Sequence, residues 1–198
     1  MTTQCPQSAI DRLRVQLAGR PIVLVGLMGA GKSAIGRKLA ARLGLAFVDA
    51  DREIEKAASM PIPEIFANYG EPEFRRLEAS VTARLLAAEK TVLATGGGAF
   101  MNPETRRNIA DAAVSVWLCA DLDLLMSRVS RKPTRPLLQD DDPRGVMERL
   151  MRERYPVYAQ ADVTVQSRDI GKEQMAETVI AALCSHLQER QSADVTQR

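Results

Sequence analysis

An α/β fold with a parallel sheet covered on both faces is what this sequence predicts, on three observations. Five short apolar runs recur along the chain, separated by segments whose apolar residues fall at helical spacing. The first run, Pro21-Ile22-Val23-Leu24-Val25, is apolar throughout, as a strand buried on both faces must be. Directly after it comes Gly26-Leu27-Met28-Gly29-Ala30-Gly31-Lys32-Ser33, which opens an amphipathic stretch carrying Ile35, Leu39 and Leu43.

Each element has its own signal. Ile10, Leu13 and Leu17 predict a helix over 8–18, ending near Gly19 and standing outside the core as an appendage. Strand 21–25, helix 32–43 and strand 46–49 follow, and helical segments fill 50–89. Strand 91–95, helix 103–110, strand 113–119 and helix 121–129 continue the alternation. Beyond a polar, proline-broken loop the pattern predicts helix 144–155, strand 162–166 and helix 172–190. The polar tail after Leu187 is expected to fray. Ligands in sheets of this kind collect at the carboxyl ends of the strands.

At 198 residues the chain fits one domain with a core of its own. It is 45% hydrophobic and 26% charged, and no apolar run approaches the ~18 residues of a membrane span, so no membrane role is expected. Met1 to Gln7 is polar and no leader is expected. Cys5, Cys119 and Cys184 are odd in number and far apart, which argues against a disulfide framework or a zinc site and suits a reducing cytoplasm. A net charge of +2 does not suggest nucleic-acid binding, and Arg37, Lys38 and Arg42 fit a solvated helix face. His186 is the only histidine and reads as a surface or helix-end residue. Carboxylates, cations, backbone N–H groups and a metal ion are then left for chemistry, the set that phosphoryl transfer uses.

The motif G-x-x-x-x-G-K-[ST] has a mechanical basis. Its glycines let backbone N–H groups converge on phosphate oxygens, Lys32 reaches the β and γ phosphates, and the Ser33 hydroxyl ligates Mg²⁺. Asp49 and Asp51 close the second strand, where period-two alternation sends both carboxylates to one side. One would hold Mg²⁺ through water and the other accept a hydroxyl proton, unless they simply cap the next helix. Gly96-Gly97-Gly98 follows the third strand and leaves room for a ligand to approach the backbone. In Phe74-Arg75-Arg76-Leu77-Glu78 one arginine facing inward would pair with a substrate carboxylate, and periodicity does not choose between the two. Glu78 stands three residues after Arg75, placed to orient it. Ser130 to Leu138 is basic and proline-broken, with a lid over phosphates and a solvated linker equally open on the residues alone.

The ordered set G-L-M-G-A-G-K-S, D-A-D, F-R-R-L-E, G-G-G-A, R-P-L-L and R-x-x-Y resembles the shikimate kinase family, over about Pro21 to Leu187. The resemblance implies a P-loop, nucleoside-monophosphate-kinase-like three-layer fold with a five-stranded parallel sheet and a mobile lid over about 130–142. It implies ATP-dependent phosphorylation of the shikimate 3-hydroxyl in aromatic amino-acid synthesis. By position Gly29, Ala30, Gly31, Lys32, Ser33 and Ala34 match the ATP cradle, with Mg²⁺ on Ser33 and, through water, on Asp49. Asp51 matches the carboxylate facing the substrate hydroxyl and acting as base. Arg75 and Arg154 match the pair that grips the shikimate carboxylate, Gly96, Gly97 and Gly98 the substrate-facing loop, and Arg135 the lid arginine at the phosphates. Arg128 matches the residue flanking adenine. The loop after the last strand, Ser167-Arg168-Asp169-Ile170, lacks the proline common in the family. A monomeric, cytoplasmic enzyme is the expectation, with residues 1–20 as an extension, 21–187 as the kinase domain and 188–198 as a tail.

Two rivals follow from the same residues. A gluconate or nucleotide kinase of this fold would share the phosphate loop, and gluconate also carries a carboxylate. A nucleotide-driven switch protein is disfavoured, because the chain has no N-K-x-D motif and its third strand ends in glycines rather than an acid.

Overall fold

The computed structural model describes residues 6–87, 90–131 and 141–196. Five parallel strands form its sheet: β1 (Ile22–Val25), β2 (Ala46–Asp49), β3 (Thr91–Ala94), β4 (Val114–Cys119) and β5 (Val163–Gln166), in the order β2-β3-β1-β4-β5. All four residues of β1 are buried, because the strand is paired on both edges, Ile22 aligning with Val92 of β3 and with Val114 of β4. The edge strand β5 alternates buried and exposed residues. After β1 the chain moves outward to β2, and it later crosses from β3 past β1 to β4. The loop leaving β1 therefore emerges where the strand order reverses, the place at which such sheets bind ligands.

Eight helices flank the described sheet: α1 (Gln7–Leu17), α2 (Lys32–Leu43), α3 (Ala50–Ala58), α4 (Ile62–Leu86), α5 (Pro103–Ala112), α6 (Leu122–Val129), α7 (Pro143–Tyr158) and α8 (Lys172–Thr196). Packing groups α2 with α8 and α1, and separately α4 with α5 and α6 with α7. By the right-handed rule for parallel crossovers, α2 belongs on one face of the sheet and α4, α5 and α6 on the other. Side-chain caps begin several helices: Asn102 accepts from Glu104 N, Asp121 from Leu124 N and Asp142 from Gly145 N. In α4, Gly70 at φ 77° breaks the helix and Pro72 follows it, so the stretch is two helical pieces. Ile54 of α3 packs with Ile65, Phe74 and Val81 of α4 in a small cluster separate from the main core. That cluster carries the wall facing the phosphate loop.

The structure corrects three expectations. The N-terminal helix is no appendage: Ile10, Leu13 and Leu17 are 0%, 0% and 3% exposed and belong to the main core. Arg14 Nε also donates to Leu43 O at 2.7 Å, closing the end of α2. The stretch after Leu187 stays helical to Thr196, because α8 packs along α1, with Gln16 Nε2 donating to Gln191 Oε1 at 2.9 Å. His186 lies within that helix, and its Nε2 is buried with no hydrogen-bond partner among the described residues. Arg37 and Lys38 are exposed, as a solvated face requires, and Arg42 is half-buried. Arg37 covers the Phe47 ring at 4.7 Å, while Lys38 and Arg42 pair with Glu173 and Glu177 of α8 at 2.6 and 2.7 Å. The lid expectation falls on 130–142, of which 132–140, Arg135 included, lie outside the described residues.

Candidate active site

One cavity of about 710 Å³ opens at the carboxyl ends of the strands, and the loop from β1 to α2 forms its floor. Gly26, Gly29 and Gly31 in that loop have φ of 137°, 86° and 99°, values that an L side chain rarely adopts. A β carbon on Gly26 would also stand 2.8 Å from Leu118 O. Gly31 precedes α2, so the first N–H groups of that helix, which have no intrahelical acceptor, begin beside the cavity. Gly29, Gly31, Lys32, Ser33 and Ala34 all line it. Ala30 does not; it is buried, and its carbonyl accepts from Ser167 Oγ at 3.2 Å. Lys32 Nζ donates to Gly26 O at 2.6 Å and to Leu27 O at 3.0 Å, so the ammonium lies along the loop.

Asp49 and Asp51 reach the same cavity, though not by alternation. β2 ends at Asp49, and Asp51 is in the first turn of α3. Asp49 sits at the N-cap position without a side-chain cap hydrogen bond, so capping does not account for it. Its backbone bend into α3 turns the two carboxylates toward one space.

Across the cavity Arg75 is the inward arginine. Its Nη1 donates to Glu78 Oε2 at 2.8 Å, and Nε and Nη2 donate to Glu71 Oε1 at 3.2 and 3.0 Å. Arg76 instead pairs with Glu73 at 2.6 Å and is 75% exposed. Burial pushes the Glu78 carboxyl above its ordinary pKa; Arg75 pulls it back, and the Asp51 charge adds to the rise. The glycine loop is shaped to this cluster. A β carbon on Gly96 would lie 2.6 Å from Glu78 Oε1 and 2.9 Å from Asp51 Oδ1, and one on Gly98 would lie 2.1 Å from Arg75 Nη1. Neither position accepts a side chain without moving the charged groups.

Arg154 of α7 completes the ring from the other side, its Nη1 donating to Gly97 O at 3.1 Å. Arg128 of α6 borders the phosphate loop and donates to Ser167 Oγ at 3.0 Å and to Arg168 O at 2.7 Å, tying it to the segment after β5. Sequence reasoning missed the apolar wall. Ile62, Phe66 and Phe74 line the cavity, and the two rings stand 4.5 Å apart. Ile62 and Phe66 are spaced four residues apart on α4, a signal that was present but that core packing would produce equally well. Met28, Thr95 and Lys172 also line the cavity without having been singled out.

A phosphate cradle is of use to a transferase only if an acceptor can be held beside it, and here two carboxylates and two guanidinium groups stand across one cavity from that cradle. Fold and site together define the P-loop kinases of small molecules. Comparison with known proteins narrows the class: the family model described as shikimate kinase matches residues 28–184. The shikimate kinase of Mesorhizobium japonicum is 58% identical over 181 residues, covering 91% of this chain and 89% of that protein. That of Brucella canis is 56% identical over 183 residues, covering 92% of each. The chain belongs to the shikimate kinase family. Among solved structures, shikimate kinase from Acinetobacter baumannii in complex with shikimate superposes with a TM-score of 0.82 at 34% identity, over 87% of this chain and 97% of that one. A gluconokinase from Sinorhizobium meliloti reaches 0.57 at 14% identity, over 88% and 97%, a likeness of fold alone.

Proposed function

We propose that this protein transfers the terminal phosphate of ATP to the 3-hydroxyl of shikimate, giving shikimate 3-phosphate on the route to chorismate and the aromatic amino acids. Family membership supports the substrate. The observation that carries the mechanism is the meeting of Arg75 and Arg154 at the Gly96–Gly98 loop, where Asp51 also stands, against Gly96. Guanidinium groups fixed in that way match a small carboxylate, and anchoring it would aim a ring hydroxyl at Asp51. The Asp51 carboxylate accepts the hydroxyl proton as the oxygen attacks the γ-phosphorus; the new O–P bond forms while the bond to the bridging oxygen of ADP breaks. Lys32 and the loop N–H groups steady the transferring group. Ile62, Phe66 and Phe74 would cover the apolar face of the ring and limit water.

Ser33 and Asp49 border the cavity beside Lys32 and offer a hydroxyl and a carboxylate, hard oxygen donors that suit Mg²⁺. Ions of this kind take one or two protein oxygens and the rest from phosphates and water, so no larger cluster of carboxylates is needed. When bound, Mg²⁺ would neutralise charge on the β and γ phosphate oxygens. Gly29 to Ala34 are assigned to the phosphates, Arg128 to one face of adenine, and Arg135, beyond the described residues, to the lid. The kinase motifs lie within 21–187 and share their core with α1, and the protein is taken to work as a monomer in the cytoplasm. Among the described residues no helix is long and apolar enough to cross a membrane.

A coupled assay of ADP release with shikimate, gluconate and nucleoside monophosphates tests the assignment. Shikimate should be turned over at least about 100-fold more efficiently than the others, as expected when buried polar groups are left unpaired by the wrong substrate. Preference for gluconate or a nucleotide would overturn it.

A further inference from the structure

Behind the glycine wall lies a hydroxyl that the phosphoryl transfer itself does not use. Tyr158, the last residue of α7, is 0% exposed and is wedged among Phe100, Trp117 and Tyr155, with ring centroids 6.1 to 6.4 Å away. Packing alone would be served as well by a phenylalanine. Its hydroxyl donates to Gly97 O, the same oxygen that accepts from Arg154 Nη1 at 3.1 Å. The Arg154 guanidinium lies against the hydroxyl as well. Burial raises the Tyr158 pKa above its ordinary value, so the group stays protonated and a donor at neutral pH.

Gly97 has no side chain to hold its peptide, and glycine has more backbone freedom to lose than any other residue. Yet its carbonyl anchors Arg154, and Gly98 beside it leaves the space that Arg75 fills. Rotation of the peptides here would disturb both arginines. We propose that Tyr158 is a positioning residue: its buried hydroxyl fixes the Gly97 carbonyl and, through it, the orientation of Arg154 toward the carboxylate of a small anionic substrate. The identity of that anion rests on the proposed function.

The test is Tyr158→Phe in the full chain, assayed with shikimate and Mg²⁺–ATP. The shikimate KM should rise about 5- to 20-fold, the range for one lost buried hydrogen bond, by more than kcat falls, while the KM for ATP moves less than about 2-fold. In an Arg154→Lys background the same change should cost less than about 2-fold, because Tyr158 acts through Arg154. A purely structural role would lower the folded fraction, reducing kcat with both KM values steady; that result, or full additivity with Arg154→Lys, overturns the inference. Should Tyr158→Phe fail to fold, amide exchange in the wild-type chain decides. The amides of Ala99 and Met101, which donate to Gly96 O and Gly98 O at 3.4 and 2.9 Å, should be protected before any substrate is added, and exchange at the rate of unstructured backbone would refute prior fixing of the loop. A wild-type chain inactive on shikimate would overturn the proposed function alone, and the exchange measurement, which needs no substrate, would still judge Tyr158.

Discussion

Glu78 and Arg75 pair at 2.8 Å with unequal access to water, the carboxylate side chain being 4% exposed and the guanidinium 33%. Burial raises the pKa of Glu78 above 4.5 even with the arginine beside it. For Arg75, burial works against the charge, and the bonds to Glu78 and Glu71 outweigh it, raising its pKa. The cation facing the cavity is thus held by a carboxylate that is itself costly to ionise.

A consequence is a defined pH signature. A group whose pKa is raised by folding contributes stability that is full below its unfolded value and lost as pH rises through the folded one. For Glu78 that window opens at 4.5 and extends upward. Glu78→Gln should flatten this part of the stability curve and weaken shikimate binding, since Arg75 loses its anchor. Denaturant unfolding of both proteins over about pH 4 to 7 checks the first effect, and identical slopes would dissociate Glu78 from it.

Lys32→Ala should reduce turnover to background while the chain stays folded, because the ammonium lies along the glycine loop that would cradle the phosphates. ADP release by the variant, set against its circular dichroism, tests this. Substantial residual turnover would assign phosphate neutralisation to another cation.

Asp51→Asn keeps the shape of the carboxylate and removes its basicity. It should lower kcat by roughly 100-fold or more, with a much smaller change in shikimate affinity. Wild-type turnover in the asparagine variant would remove Asp51 from the role of base.

Arg75→Ala and Arg154→Ala should each cost about 1.5 to 3 kcal/mol of shikimate binding, roughly 10- to 150-fold. Calorimetric titration is the measurement. Unchanged affinity in both variants would defeat the carboxylate clamp.

Leu13→Ala addresses the N-terminal helix. Leu13 is fully buried in the main core, so the change should destabilise the chain by about 2 to 5 kcal/mol with little effect on kcat at temperatures where it is folded. A loss under about 0.5 kcal/mol would mean that α1 is peripheral after all.

Elements with strong periodicity were legible from residues alone: helix 32–43 and strand 46–49 match their observed bounds. The glycine-lysine loop was legible because its spacing is dictated by phosphate geometry. What escaped were facts about partners distant in sequence. Ile10, Leu13 and Leu17 announce a helix but cannot say that α8 will cover it, and the polar tail of α8 gives no hint that α1 supports it. Arg75 and Arg76 are equivalent to periodicity; the family resemblance chose Arg75, and in the structure it is Arg75 that meets the buried Glu78 and the space left at Gly98. Tyr158 was invisible for a similar reason, since its hydroxyl meets a backbone oxygen 61 residues away.

The most direct test of the central claim is to incubate the purified protein with Mg²⁺, ATP and shikimate and identify the product by phosphorus–proton correlation NMR. A single new phosphate ester on the 3-hydroxyl, formed in step with ADP, is the expected result. ADP accumulating with shikimate unaltered, or a phosphate on a different hydroxyl, would contradict an arrangement in which Arg75 and Arg154 aim that oxygen at Asp51.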